Sequence, residues 1–242
     1  MKKTVSTFAS ICLGLASFAA TSLLVSGCSS SSTSPGTTST VNATNDMQNT
    51  TITGSQHKSP SPTDGPTVDA VTITKVRVMM SGLHLHVSDD AAAGVGTFMA
   101  NPTVVTFDPN TTHSLGSATV PIGTYTQFIF DLHAPNITTD AALLAANPDF
   151  AIGLPTIIID GTMIKNGTPS SFTYKTSMVR NLKPVFTPSP LITIAEQTYS
   201  TNLRFDGIIA FAITTGKPLD PTDASNKAAL DDQIAKAFLA QH

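Results

Sequence analysis

Tryptophan is missing from this 242-residue chain, tyrosine occurs three times, cysteine twice and glutamate once. Without Trp, the side chains on which a sugar could stack reduce to Tyr125, Tyr174 and Tyr199. The first two fall at a strand start and in a hairpin, where packing is the commoner use of an aromatic with a polar tip. With Glu196 as its one glutamate, a glycosidase-type carboxylate pair would have to come from Asp. Two cysteines allow at most one disulfide, and Cys12 sits within an N-terminal apolar run. Charged residues make up 12% of the chain without any Lys/Arg cluster. Phosphate binding requires concentrated positive charge, so nucleic acid is not an expected partner. Nor is there a polybasic patch for anionic lipid. The Gly-x-Ser-x-Gly elbow, His-Glu-x-x-His, the phosphate-binding glycine loop and the dinucleotide fingerprint are all lacking, and no enzyme activity is expected.

What the N-terminus does contain is a charged start, Met1-Lys2-Lys3, followed by an apolar body from Val5 to Val25. The run is long enough to span a bilayer, but small residues and a cysteine end it. Val25-Ser26-Gly27-Cys28 resembles the lipobox of bacterial lipoproteins. That resemblance implies a signal peptide over residues 1–27, cleavage between Gly27 and Cys28, and a diacylglyceryl group on the Cys28 sulfur. Two or three acyl chains hold a protein stably at a membrane where one does not. The expected address is the cell envelope, with the lipid anchor making the membrane a partner. Ser29, in place of Asp, resembles an outer-membrane address if the cell is Gram-negative. Processing would leave Cys28 as the lone thiol, with 11 basic and 16 acidic side chains and a net charge of −5. A disulfide, a Cys-ligated zinc and an iron–sulfur cluster are then excluded.

From Ser29 to Thr67, 19 of 39 residues are Ser or Thr. Apolar residues are limited to Val41, Ala43, Met47 and Ile52. Such a composition predicts a disordered tether over residues 28–67, too poor in apolar surface to offset its conformational entropy.

The pattern from Val68 to His242 predicts one mostly β domain, an antiparallel β-sandwich of about seven or eight strands. Val71 and Ile73, then Val76, Val78 and Met80, then Leu83, Leu85 and Val87 alternate with other residues. Each change of parity swaps faces, so bends are expected near Thr74-Lys75 and at Ser81-Gly82. Thr126, Phe128, Phe130 and Leu132 form an inward set. Pro155–Lys165 and Ser170–Met178 flank Asn166-Gly167, a pair suited to a tight hairpin turn. Leu191–Ile194 and Leu203–Ile213 complete the strands. A short helix is expected over Asp140–Ala146, capped by Thr139. A C-terminal helix is expected over about residues 219–240, with Asp220 as N-cap and Leu230, Ile234, Ala237 and Phe238 as its apolar stripe.

Three segments add a likeness. They are Val120 to Gln127, the hairpin from Asp160-Gly161-Thr162 to Phe172-Thr173-Tyr174, and Leu203-Arg204-Phe205-Asp206. Over roughly residues 70–215 the chain resembles uncharacterised lipoprotein β-sandwich domains of the transthyretin-like or Ig-like kind. The resemblance implies a fold and an address, with no activity to carry over.

His84-x-His86 is the pattern closest to chemistry, because residues two apart on a strand share a face. Asp131-x-His133 repeats the spacing. Were the two strands neighbours, these four side chains could ligate Zn or Cu; otherwise no cofactor is expected. Asp89-Asp90 lacks the oxygen-ligand order of a calcium loop. The expected role is structural or binding, with a sheet edge as the candidate site for a protein partner. A metal-binding envelope protein is the alternative. A hydrolase would need Ser, His and Asp to converge in one pocket.

Overall fold

The computed structural model describes residues 37–53, 66–87, 95–211 and 217–242. The expected signal peptide, Cys28 and the Asp89-Asp90 loop lie outside the described residues. The domain is mostly β, a sandwich of two sheets with a few short helices.

The 18-residue strand β3 (Ala70–Val87) is the spine of the larger sheet. Along one side it pairs end to end with β8 (Ile157–Lys165) and β7 (Gly123–Leu132), both antiparallel. The Met79 backbone joins the two, its N–H donating to Thr156 O and its carbonyl accepting from His133 N. Along the other side lie β2 (Thr51–Thr53), β5 (Thr103–Phe107) and β4 (Val95–Met99). Both expected bends are present in β3. The register shifts between Ile73 and Lys75 and again between Ser81 and His84, with Gly82 at φ +66°. Val71, Ile73, Val76, Val78, Met80, Leu83 and Leu85 therefore all reach the core. Beyond β8, β9 (Thr168–Thr176) closes the hairpin, and Asn166 and Gly167 take φ of 52° and 74° at its turn. Beyond β7 lie β10 (Asn181–Leu182) and β12 (Leu191–Thr193). A further shift opposite His86/Val87 buries Tyr125 where Thr126 was expected to face inward.

The second sheet overturns the expected tether over residues 38–53; residues 28–36 and 54–65 of that expectation lie outside the described residues. Its order is β11 (Phe186–Thr187), β14 (Phe238–Gln241), β13 (Thr198–Asp206), β1 (Thr38–Gln48) and β6 (His113–Pro121). Residues 38–53, predicted to be disordered, supply the interior strand β1 and the short β2. β1 runs parallel to β13 and antiparallel to β6. All four apolar residues of the segment, Val41, Ala43, Met47 and Ile52, are buried. Ser39 and Asn45 continue the inward alternation of β1, while Thr40, Asn42, Thr44 and Asp46 face out. Two flanking strands satisfy the β1 backbone, and few apolar side chains are needed because the neighbours supply the rest of the core.

The sheets meet through aromatic rings. Phe238 lies 5.3 Å from Phe205, 5.5 Å from Phe130 and 5.9 Å from Phe107 between centroids. These are edge-on contacts that favour aromatic pairs. A smaller cluster of Met79, Ile158, Leu144 and Phe150 covers part of the other face of the β3 sheet. Its lid is α1 (Ala141–Ala146) and α2 (Pro148–Ala151). α1 forms near its expected place, although Asp140 rather than Thr139 occupies the cap position.

The C-terminal helix is shorter and later than expected. β13 ends at Asp206 and passes into α3 (Gly207–Phe211), so the strand expected to reach Ile213 turns helical. Asp220 is wholly buried; it accepts from the Thr222 backbone N–H and hydroxyl and pairs with Lys165 at 2.7 Å. It therefore holds a turn rather than starting a helix. α4 (Lys227–Lys236) follows, burying Leu230 and Ile234. The period then changes from helix to strand, and Phe238 and Ala240 point inward from β14.

Candidate functional site

β3 and β7 are neighbours, so the condition for a joint His/Asp site is met in topology. The side chains are nevertheless not gathered. His84 is registered with Ile129, His86 with Gln127, and Asp131 with Ser81, which spreads them along the strands. The His84 Nδ1 lies 2.6 Å from Gly82 O. Asp131 accepts from Asn181 Nδ2 at 2.9 Å. The His133 ring sits 2.8 Å from Asp140 Oδ2. Burial raises the Asp140 pKa, but the Asn136 N–H and the His133 ring outweigh it and hold the carboxyl below the usual carboxylate range. That pair ties the end of β7 to the start of α1. Among the described residues, no group of three or more His, Cys, Asp or Glu is placed to hold a metal.

A different cluster, missed in the sequence, lines an open groove of about 700 Å³ between β5 and β6. The turn through Asp108-Pro109-Asn110, with Asn110 at φ +58°, returns the chain so that Asp108 and His113 meet. His113 Nε2 lies 3.2 Å from Asp108 Oδ2, and Lys75 Nζ stands 4.0 Å from Asp108 Oδ1. Asn45 of β1 forms part of the wall. It is fully buried and its Nδ2 donates to Thr106 O at 2.8 Å. Its Oδ1 has no partner among the described residues. Ser114 also lines the groove, so Ser, His and Asp do converge here. The relay is incomplete: among the described residues His113 bonds Asp108, and no hydrogen bond links it to Ser114. A serine nucleophile requires that second link to lose its proton. What remains is a polar trough presenting a cation, a carboxylate, an imidazole and hydroxyls.

Two of the three tyrosines offer little to a sugar. Tyr125 is buried with its hydroxyl donating to Pro121 O at 2.8 Å, and burial pushes its pKa up. Tyr174 is buried and donates to Asp231 at 2.7 Å. Burial and then the Asp231 carboxylate raise its pKa as well. Comparison of the chain with protein-family models, with curated proteins and with solved structures finds no match.

Proposed function

We propose that this chain is a lipid-anchored extracytoplasmic protein whose β-sandwich has a structural or binding role and no catalytic one. The observation that carries the reading is Val25-Ser26-Gly27-Cys28 at the end of a charged-then-apolar leader. Further support comes from the trough at Asp108 and His113, which has recognition chemistry without a linked nucleophile. The end strand β9 offers an edge to which a partner strand could add.

β1 revises the physical picture of the anchor. Only nine residues separate Cys28 from Thr38, so the sandwich stands no more than roughly 35 Å from the lipidated sulfur. A Zn or Cu role for His84 and His86 gains no third ligand from Asp131 or His133 and is the weaker reading. Labelled palmitate supplied to a bacterium producing the protein tests the proposal. Incorporation into the parent and its loss in Cys28→Ser is the expected result. A parent that partitions with membranes and never takes up the label would refute it.

A further inference from the structure

The described exposed apolar side chains are mostly scattered singly, as on any protein surface. Three are not. Thr193 is buried and locks two backbone stretches together, its Oγ accepting from Gly123 N at 3.1 Å and donating to Pro121 O at 3.2 Å. β12 pairs Thr193 with Gly123 and Ile192 with Thr124. Continuing that antiparallel register by one residue sets Ile122 opposite Ile194. Ile192 and Ile194 flank an inward residue and share its opposite face. Ile122, Ile192 and Ile194 are 51%, 62% and 53% exposed. Neither 119–124 nor 188–195 contains an ionisable residue.

This patch lies where the chain enters the domain. Thr37 O accepts from the N–H of Ile122 at 3.0 Å, and Thr38 O accepts from the N–H of Glu196 at 2.9 Å. The first described residue is thus hydrogen-bonded to the patch itself. Nine peptide steps from Thr37 back to Cys28 cannot exceed about 32 Å.

We propose that Ile122, Ile192 and Ile194 form a membrane-contacting tip that rests in the headgroup region of the bilayer carrying the lipid anchor. This rests on the lipoprotein reading, since acylation is what brings the tip to the bilayer. Uncharged, apolar loops carry little desolvation penalty in that region, and a tip beside the tether needs no rotation of the domain to reach it. The sandwich then stands with its far end, at α1 and α2, away from the lipid. Those helices lie beyond the other end of β7, roughly 30 Å along the strand.

The missing tryptophan makes the test clean, because one introduced Trp reports alone. Full-length Ile194→Trp and Ile152→Trp are purified from membranes, their acylation is checked by mass spectrometry, and each is placed in vesicles of brominated or ordinary phosphatidylcholine. Ile152, 72% exposed at the end of α2, is the far-end control. The expected result is a blue shift and bromine quenching for Ile194→Trp, with neither for Ile152→Trp. Equal quenching of acylated, vesicle-bound Ile194→Trp and Ile152→Trp overturns the membrane tip while leaving the lipoprotein reading intact. A blue shift without bromine quenching assigns the patch to a second copy or another protein and also overturns it. Finding no acyl group on the protein refutes the lipoprotein reading, and the tip with it.

Discussion

Placing a carboxylate at Val41 separates a tether from an interior strand. Val41 is fully buried between β13 and β6. Removing its apolar side chain from the core costs about 2 kcal/mol. An aspartate there must stay neutral at pH 7, roughly 3 units above its ordinary pKa, which costs about 4 kcal/mol. Together that is roughly 6 kcal/mol, against about 5–15 kcal/mol for the stability of a whole domain. The control is the adjacent residue. Asn42 faces outward and its Oδ1 accepts from Ser117 Oγ, a bond that an aspartate preserves. Asn42→Asp should change stability by about 0.5 kcal/mol or less. Urea unfolding followed by far-UV circular dichroism measures both variants. Val41→Asp should be unfolded or shifted to a far lower midpoint, with Val41→Ala lying between at about 2 kcal/mol. Equal midpoints for Val41→Asp and Asn42→Asp would refute the placement of β1 and restore a passive linker.

Phe238→Ala removes a ring packed on three others and should cost about 3–5 kcal/mol, lowering Tm by roughly 6–20 °C in calorimetry; a drop under a few degrees would contradict the inter-sheet packing. Burial raises the Asp220 pKa, but Lys165 and Thr222 outweigh it and leave the pKa lowered. A carboxylate lowered on folding stabilises the native state above its unfolded pKa of about 3.9, and that contribution disappears as pH falls through the folded value. Asp220→Asn should therefore be less stable than the parent at neutral pH by about 1–3 kcal/mol. Urea midpoints measured down to about pH 2 should converge, and a constant gap would disprove the ionic contribution. Titrating Zn or Cu into the parent and into His84→Ala/His86→Ala should give equal heats by calorimetry; a saturable heat lost in the variant would reinstate a metal site.

Much of the spine was legible because burial acts on each strand residue by residue. The parity changes at Thr74-Lys75 and Ser81-Gly82 marked the β3 bends, and Asn166-Gly167 marked the hairpin through its need for positive φ. β1 was hidden by averaging. Its composition is that of a linker, yet Val41, Ala43 and Met47 recur at period two, a signal that four apolar residues in a Ser/Thr background leave faint. In the sequence Phe238 fits a helical stripe, because Leu230, Ile234 and Phe238 form an i, i+4 series. Ala240, two residues on and also buried, marks the strand that β13 recruits.

The sequence by itself determined the mostly β class, and from it alone come the lipobox-like Val25-Ser26-Gly27-Cys28 and the expectations drawn from the absence of Trp, a single Glu, two Cys and no basic cluster. These depend on residue identity and local spacing alone. Tertiary structure decided that a Ser/Thr-rich segment is an interior strand, that the histidines are spread along β3 and β7, that Asn45 and Lys75 share one groove with the Asp108–His113 pair, and that three isoleucines crown the point where the chain enters. Each of these depends on which strands lie side by side, because pairing partners far apart in the chain satisfy backbone hydrogen bonds and bury side chains that no local window contains.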